Sequence, residues 1–377
     1  MADILVLAND YTTLLHFRME LLSKLISIGH KVVISLPAHE LNKAFVKLGC
    51  RVENISLDRF GMNPLRDFRL LLQYLFLIRR LKTNIVLTYT AKPNIYGGIA
   101  CRLCHVPYIC NVTGLGANFQ SENLIKRLML SLQKIAYRKA TRVFFQNGSN
   151  LRYFADRRIV TKNAEQLPGS GVNLVTHSLE PYPALDGKIR FITVSRVRQD
   201  KGFDELFAAI RTCSKVYNNL EFHLAGWYED DTYREKIERI TAECPVIYHG
   251  SVSQEEVHRL ISNCHCLILP SYHEGMANTL LEAAAAGRPC LASDIPGCRE
   301  AVEDGVTGSL FKVKDADSLR DAILSFIRLP DELKQEMGQE GRKKMESEFD
   351  RRFVVDKYLE TIDDALKGAE APVKEAL

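Results

Sequence analysis

Two glutamates in the second half of the sequence could bind one extended ligand. Glu274 follows the apolar run 266–269, and Glu282 lies eight positions further on, in a stretch of helical spacing that ends at Gly287. On one helix their backbones would be about 12 Å apart. Glycosidase carboxyl pairs stand about 5 to 9.5 Å apart, so this spacing does not indicate a hydrolase pair. We therefore expect the two carboxylates to contact different parts of one long ligand.

The residues between these glutamates are predicted to form an anion site. Residues 276–279 would make the first turn of the helix that carries Glu282, and their unpaired N–H groups and the helix dipole suit a diphosphate. Two helical glutamates eight apart occur often by chance, so the inference depends on their place after a strand, at the edge where open α/β sheets bind ligands. The predicted contacts are Glu274, Gly275, Met276, Ala277, Asn278, Thr279 and Glu282.

Two cations in an earlier stretch could reach the same edge. Arg196 and Lys201 follow the apolar run 190–194, and a leaving diphosphate needs positive charge to neutralise it. Alone, this stretch could be a surface loop with a salt bridge. Together with the glutamate stretch, it predicts a reaction centre of Arg196, Lys201 and Glu274, for which we expect no metal to be required.

The elements that position these residues are predicted from alternating apolar runs and helical stretches. This alternation indicates parallel sheets with crossover helices, and 377 residues are long for one core. We therefore predict an α/β protein with two Rossmann-like, doubly wound parallel sheets. The predicted strands are 4–7, 32–36, 52–55, 85–89, 108–112 and 143–146 in the first half, and 190–194, 221–225, 246–249, 266–269 and 290–293 in the second.

The domain boundary is predicted in the segment 180–187, which contains Pro181 and Pro183. We expect a first domain over 1–183 and a second over 184–352. A helix over 353–377 could pack back on the first domain.

Charge is distributed unevenly between the halves. Residues 1–183 hold 24 Lys and Arg against 11 Asp and Glu, whereas the remainder holds 26 against 35. A basic half favours an anionic partner, either nucleic acid or acidic lipid, although a solvated basic face without a partner is the alternative.

Two stretches of the basic half favour lipid over nucleic acid. Residues 65–82 and 124–140 combine apolar positions with Arg and Lys, and the longest apolar run is far shorter than the roughly 20 residues needed to span a bilayer. Each could also be a core helix with a basic outer face. No secretory signal pattern begins the sequence, so we expect a cytoplasmic protein bound to the inner face of the membrane.

Here the residues resemble a known family. Arg196, Lys201 and Gly202, with Glu274 and Glu282, resemble the donor site of family 4 of the retaining nucleotide-sugar glycosyltransferases. The resemblance, which runs over 189–303, implies the GT-B fold, in which two Rossmann-like domains face a central cleft. It also implies that Arg196 and Lys201 hold the donor diphosphate, that Glu274 contacts the transferred sugar, and that Glu282 contacts the ribose.

The first half resembles a narrower group, the bacterial enzymes that extend sugars on undecaprenyl diphosphate in glycan, O-antigen and capsule assembly. The matching pieces are 16–19, 57–64, 92–97, 113–116 and 169–173. The resemblance implies a UDP-sugar donor, N-acetylgalactosamine as the sugar, and a polyprenyl-diphosphate-linked acceptor. The implied acceptor contacts are His16, Arg18, Lys92, Asn94, Thr113, Gly114 and Gly116.

One position departs from the family pattern. Many members carry a histidine where this sequence has Ala91, so the imidazole that contacts the sugar in them is missing or replaced. Lys92 could instead meet the acceptor diphosphate.

Three other functions are compatible with parts of the pattern. A nicotinamide dehydrogenase would need a GxGxxG loop after the first strand, where the sequence reads Asn-Asp-Tyr-Thr-Thr over 9–13. A non-catalytic nucleic-acid binder would use the basic half, and salt-sensitive retention on DNA would indicate it. A sugar-nucleotide 2-epimerase would share the fold, and free epimerised nucleotide would reveal it.

Overall fold

The computed structural model describes the chain except residues 59–62, 115–123, 185, 229 and 375–377, and it describes side chains up to residue 368. The described chain forms two units. One comprises Met1–Ser170 with Arg352–Leu377, and the other comprises Gly171–Arg351.

The first unit contains a parallel sheet of seven strands in the order β3-β2-β1-β4-β5-β6-β7. The strands are β1 (Asp3–Leu7), β2 (Lys31–Leu36), β3 (Arg51–Asn54), β4 (Ile85–Tyr89), β5 (Tyr108–Val112), β6 (Arg142–Phe145) and β7 (Ala164–Gln166). The helices are α1 (Tyr11–Phe17), α2 (Met19–Ser27), α3 (Lys43–Leu48), α4 (Pro64–Leu81), α5 (Gly98–Cys104), α6 (Leu124–Tyr137) and α7 (Gly148–Asp156).

The second unit contains a parallel sheet of six strands in the order β10-β9-β8-β11-β12-β13. Its strands are β8 (Ile189–Val194), β9 (Leu220–Ala225), β10 (Val246–Gly250), β11 (Cys266–Leu269), β12 (Cys290–Ser293) and β13 (Gly308–Phe311). The remaining α-helices of the described residues are α8 (Phe203–Val216), α9 (Asp231–Glu243), α10 (Gln254–Ser262), α11 (Asn278–Ala285), α12 (Ala316–Arg328), α13 (Asp331–Glu348) and α14 (Arg351–Lys374).

The predicted α/β class with two doubly wound sheets is confirmed, and every predicted strand is present with its bounds within one residue. Two strands, β7 and β13, were not predicted. They lie at sheet edges and read Ala-Glu-Gln and Gly-Ser-Leu-Phe, so neither shows the apolar run by which buried parallel strands are recognised.

The boundary between the units differs from the predicted one. It falls between residues 170 and 171, whereas the sequence placed it between 183 and 184. The segment 171–183 is bound to the second unit, since the Val172 N–H donates to Phe349 O at 2.8 Å and the Tyr182 hydroxyl donates to His265 O at 3.1 Å. The prolines near 180 therefore lie in an extended segment of the second unit.

Helix α14 packs on the sheet of the first unit. Val354, Tyr358 and Ile362 recur at helical spacing and are buried in the core that β1, β2 and β4 form. The Tyr358 hydroxyl accepts a hydrogen bond from Asn111 Nδ2 at 2.9 Å. The guanidinium carbon of Arg18, a buried residue, lies 5.8 Å from the centroid of the Tyr358 ring, within range of a cation–π interaction.

We expect Tyr358→Ala to lower the free energy of unfolding of the first unit by about 3 to 5 kcal/mol, because it opens a core cavity and removes a buried hydrogen bond. Phe353→Ala, at a residue of the same helix that is 43% exposed, is the matched control and should cost far less. Urea titration of both variants measures the difference. Equal losses would contradict the packing described for α14.

Candidate active site

The site is built where the order of the second sheet reverses, between β8 and β11. These strands are parallel neighbours, with Cys266 beside Phe191 and Leu267 beside Ile192. Their carboxyl ends therefore reach the same edge of the sheet, and the loops that follow them emerge side by side. Open α/β sheets bind ligands at such a reversal.

A close backbone approach joins the two loops. Gly202 has φ +72°, and a Cβ atom there would lie 2.0 Å from Pro270 O. The Tyr272 N–H also donates to Asp200 O at 2.9 Å. Because only glycine tolerates both this φ and this contact, Gly202 fixes the distance between the loops.

This approach places a cation and a carboxylate together. Lys201 Nζ lies 2.5 Å from Glu274 Oε1, and the two side chains are only 14% and 15% exposed. Gly297 supports the carboxylate loop from another side, since its backbone passes so close that an added Cβ would be 2.8 Å from Glu274 O. The sequence predicted both residues at this edge, and the structure pairs them.

Arg196 lies just beyond the end of β8, on the same loop as Lys201, and its side chain is half-buried.

The helix of the predicted anion site, residues 276–279, begins later than expected, because α11 starts at Asn278. Ala277 is not helical, with φ −81° and ψ 83°, and its N–H donates to Gly297 O at 3.2 Å. Met276 and Ala277 are therefore buried loop residues, and the first helical turn starts at Asn278.

Glu282 lies in the part of α11 that is buried on all sides, Leu280–Ala285, and is 7% exposed. Burial raises the pKa of its carboxyl to about 7, and the positive charge of Arg351 opposes that rise. Its carboxylate oxygen Oε1 lies 4.0 Å from His177 Nε2. Burial, and then electrostatic repulsion from His258 and Arg351, lower the pKa of His177 to about 4, so this imidazole is neutral at pH 7.

Sequence reasoning did not identify His177. It lies 105 positions before Glu282, and its only local signal is the Gly-Ser-Gly-Val-Asn stretch over 169–173 that precedes it. That stretch holds the segment that leads to His177 against the second unit, because Gly171 has φ +65° and packs against the backbone of Arg351. The backbone N–H of His177 donates a hydrogen bond to the backbone oxygen of Asn173 at 2.9 Å.

A cavity of about 440 Å³ lies beside the residues that directly precede Lys201, but the charge of its lining does not suit a diphosphate. Its lining includes the carboxylates of Asp200, Asp204 and Asp230, against Arg198 and Lys236. The loops that hold Lys201 and Glu274 remain the better candidate. Among the described residues, no group of three or more His, Cys, Asp or Glu side chains is placed to hold a metal ion.

In the first unit, the order of the sheet reverses between β1 and β4, and the backbone after β4 is irregular. Thr90 has φ +73°, which is rare for a β-branched residue and costs on the order of 1 to 3 kcal/mol. A π-helical turn, Pro93–Gly97, follows at once. Between them, Lys92 Nζ lies 2.7 Å from Asp67 Oδ1, and the Tyr96 hydroxyl donates to Asp67 Oδ2 at 3.0 Å.

Two predicted acceptor contacts are placed away from the surface. Asn94 is 1% exposed, and its amide accepts from the Thr88 hydroxyl and donates to Asn111 O, each at 2.7 Å. Arg18 is also 1% exposed, with its guanidinium 5.1 Å from the Tyr89 ring centroid. Both side chains stabilise the core of the first unit, and the prediction that they contact an acceptor does not agree with their burial.

The other predicted acceptor residues are more accessible. His16 lies in the last turn of α1 and Thr113 and Gly114 follow β5, and all three are half-buried. Gly116 lies outside the described residues.

We expect Glu282→Gln to stabilise the protein relative to wild type as the pH rises from about 4.5 to 7. A raised carboxyl pKa means that the folded state retains a proton which the unfolded state has released, so wild-type stability falls over this window by about 3 kcal/mol. The glutamine side chain does not titrate, so the stability of the variant should not fall over this window for this reason. Unfolding titrations across the window measure the difference, with Glu238→Gln on the surface of α9 as control. Parallel curves for wild type and Glu282→Gln would contradict the buried, raised carboxyl.

Comparison with known families matches both parts of the chain. Residues 178–344 match the family described as Glycosyl transferases group 1, and residues 3–147 match Glycosyl transferase 4-like. The first match contains the loops that carry Arg196, Lys201 and Glu274.

Two relatives align over most of the chain. The N,N'-diacetylbacillosaminyl-diphospho-undecaprenol alpha-1,3-N-acetylgalactosaminyltransferase of Campylobacter jejuni is 24% identical over 96% of this chain and 98% of its own. The capsular polysaccharide biosynthesis glycosyltransferase CapM of Staphylococcus aureus is 23% identical over 81% of this chain and 83% of its own.

Solved structures share the architecture of the whole chain. HepE of Anabaena, in complex with UDP and glucose, superposes with a TM-score of 0.79 at 17% identity, covering 97% of this chain and all of the other. Sucrose-phosphate synthase of Thermosynechococcus elongatus gives a TM-score of 0.76 at 17% identity, covering 98% of this chain and all of the other. The chain is therefore a glycosyltransferase with the GT-B fold, and its two parts match the models of the group 1 and the 4-like glycosyl transferases.

Proposed function

We propose that the protein transfers a hexose or N-acetylhexosamine, by preference N-acetylgalactosamine, from a UDP-sugar to a sugar on undecaprenyl diphosphate, with retention at the anomeric carbon. The observation that carries this proposal is the Lys201–Glu274 ion pair at the reversal point of the second sheet. The names of the Campylobacter jejuni and Staphylococcus aureus relatives support a role in glycan, O-antigen or capsule assembly.

The donor is proposed to bind along the loops after β8 and β11. A UDP-sugar diphosphate would meet Lys201, Arg196 and the N–H groups at the start of α11, since a helix N-terminus and two cations together favour an anion. UDP and UDP-glucose in complexes of HepE support a uridine nucleotide. No metal is part of this proposal.

The ion pair suggests how donor binding prepares the reaction. In the free protein, Lys201 and Glu274 neutralise each other, so neither buried charge is left uncompensated. When the diphosphate provides a second anion for Lys201, the carboxylate of Glu274 becomes available to the hydroxyls of the sugar. Glu282, in the buried part of α11, would accept hydrogen bonds from the ribose.

The proposed reaction breaks the bond between the anomeric carbon and the diphosphate oxygen and forms one to the acceptor oxygen on the same face. The departing UDP keeps the electron pair, and the acceptor hydroxyl gives its proton to the departing phosphate oxygen. Arg196 and Lys201 stabilise the negative charge that develops on that oxygen. Fixed cations in a site that excludes water serve this purpose best.

The acceptor is proposed to bind at the reversal point of the first sheet, beside Thr90 and Lys92. Backbone strain persists only where its surroundings hold it, and it often marks a functional site. Lys92 is proposed to meet the acceptor diphosphate, at the cost of its pairing with Asp67. His16, Thr113, Gly114 and Gly116 remain proposed neighbours, and we propose that the protein works on the inner face of the cytoplasmic membrane.

We expect Lys201→Ala and Arg196→Ala each to lower kcat/KM for the UDP-sugar by about 100-fold or more, because each removes a cation that stabilises the departing diphosphate. Release of UDP in the presence of lipid-linked acceptor measures the effect. Arg211→Ala is the matched control, since Arg211 lies on the surface of the same unit and pairs with Glu243.

Wild-type turnover in either site variant would exclude the proposed donor site. A thermal unfolding curve for each variant separates a lost contact from a lost fold. Epimerised sugar nucleotide formed without acceptor would indicate an epimerase in place of a transferase.

A further inference from the structure

The outward face of α4, α5 and α6 carries an unusual concentration of exposed apolar side chains. The three helices lie on one side of the first sheet, in the order in which they follow one another, with α5 in contact with both neighbours. We call the exposed set the apolar ridge. Its members are Leu65, Phe68, Leu72 and Phe76 on α4, Leu103 on α5, and Leu124, Ile125, Leu128 and Ile135 on α6.

On α4 the ridge is a second apolar face, separate from the core. Leu70, Tyr74 and Leu77 are buried against the sheet, whereas Phe68 and Phe76 are 59% and 65% exposed. Positions 65, 68, 72 and 76 recur every three or four residues, so the exposed apolar groups form one continuous stripe. Among the described residues, the core of the first unit packs on the other face of α4, and the stripe is left exposed.

The α6 side repeats this arrangement. Leu124 and Leu128 are 80% and 61% exposed and lie one turn apart, while Gln133 and Tyr137 face inward. The Arg102 guanidinium of α5 donates to Ile135 O and joins the two helices at their ends. The ridge is thus held on a packed layer of helices.

The charges around the ridge have one sign. The three helices contain eight Lys and Arg, of which Lys126 is buried, and a single acid, Asp67. Asp67 is 15% exposed and is occupied by Lys92 and Tyr96, so it contributes little negative charge to the outward face. Arg69, Arg79 and Arg80 share the exposed side of α4 with the phenylalanines.

We propose that the apolar ridge inserts into the headgroup region of an anionic lipid bilayer, with α4 and α6 parallel to the membrane plane. Exposed Phe and Leu side chains beside cations are the combination by which amphipathic helices bind acidic membranes. None of the described helices combines the length and apolar content that crossing a bilayer requires. Binding is therefore at the surface.

Other partners fit this face less well. Nucleic acid would use the cations and leave nine apolar side chains in water. A second copy of the same face would bring cations against cations. An acidic lipid surface satisfies both groups at once, since its headgroups meet the Lys and Arg side chains while its acyl region takes up the ridge.

This proposal rests on the proposed function in one respect, because the proposed lipid-linked acceptor explains why the protein would need a membrane-binding surface. A polyprenyl-linked acceptor reaches the enzyme only from a membrane. Helix α4 connects the proposed acceptor site with the apolar ridge. Its first turn holds Asp67 against Lys92, and its outer face carries the ridge. A cavity of about 510 Å³, lined by Leu57, Arg66 and Arg69 among others, opens beside this first turn.

The test is co-sedimentation of the full chain with vesicles of phosphatidylcholine alone or with about one third phosphatidylglycerol. We expect wild type to bind the anionic vesicles, and the double variant F68Q/F76Q to bind them more than about tenfold more weakly. The control I28Q/V46Q changes two residues that are 47% and 57% exposed, at the end of α2 and on α3 in the same unit. The control should bind as wild type does.

Equal binding by F68Q/F76Q and wild type would overturn the proposal, as would a failure of wild type to bind anionic vesicles. Stronger retention on DNA than on vesicles, unaffected by F68Q/F76Q, would also overturn it and indicate nucleic acid. Transfer to a short-chain, water-soluble acceptor separates the two proposals. If F68Q/F76Q loses vesicle binding but keeps this transfer, both stand, whereas vesicle binding without any transfer contradicts the proposed function alone.

Discussion

The Lys201–Glu274 ion pair depends on two loops being held at a fixed distance. Parallel pairing of β8 with β11 brings the loops to one edge, and Gly202 lets their backbones touch. Each charge is mostly buried, so either one without its partner would be costly. We propose that an anion entering the site exchanges with Glu274 for Lys201, and that the pair thereby selects a ligand with both negative charge and hydroxyl groups.

The first unit also contains a parallel sheet whose strand order reverses once, between β1 and β4. Around its reversal point, Arg18, Tyr89 and Tyr358 form a buried cluster that anchors α14. The cluster supports the backbone close to where Thr90 adopts its strained conformation. We infer that this rigid base lets the Lys92 turn keep a shape that the local sequence alone would not adopt.

The sheets could be predicted from the sequence because buried parallel strands are continuous apolar runs bounded by polar turns. The same reasoning reached Lys201 and Glu274, since each follows such a run. It could not reach the His177–Glu282 contact, because neither periodicity nor spacing links residues 105 positions apart. The family resemblance also implied that Asn94 and Arg18 contact an acceptor, since the sequence gives no sign that a polar residue beside a predicted loop will be buried. The exposed face of α4 was visible as basic and apolar, but only packing shows which apolar residues the core leaves out.

The most direct test of the donor site is hydrogen–deuterium exchange of the full chain with and without UDP-N-acetylgalactosamine. The account predicts slower exchange confined to the loops 195–203 and 270–279 and to the start of α11, because these backbone groups surround the proposed diphosphate. Protection confined to the first unit, or to the α9 residues Thr232, Tyr233 and Lys236 on the far side of the acidic cavity, would contradict it.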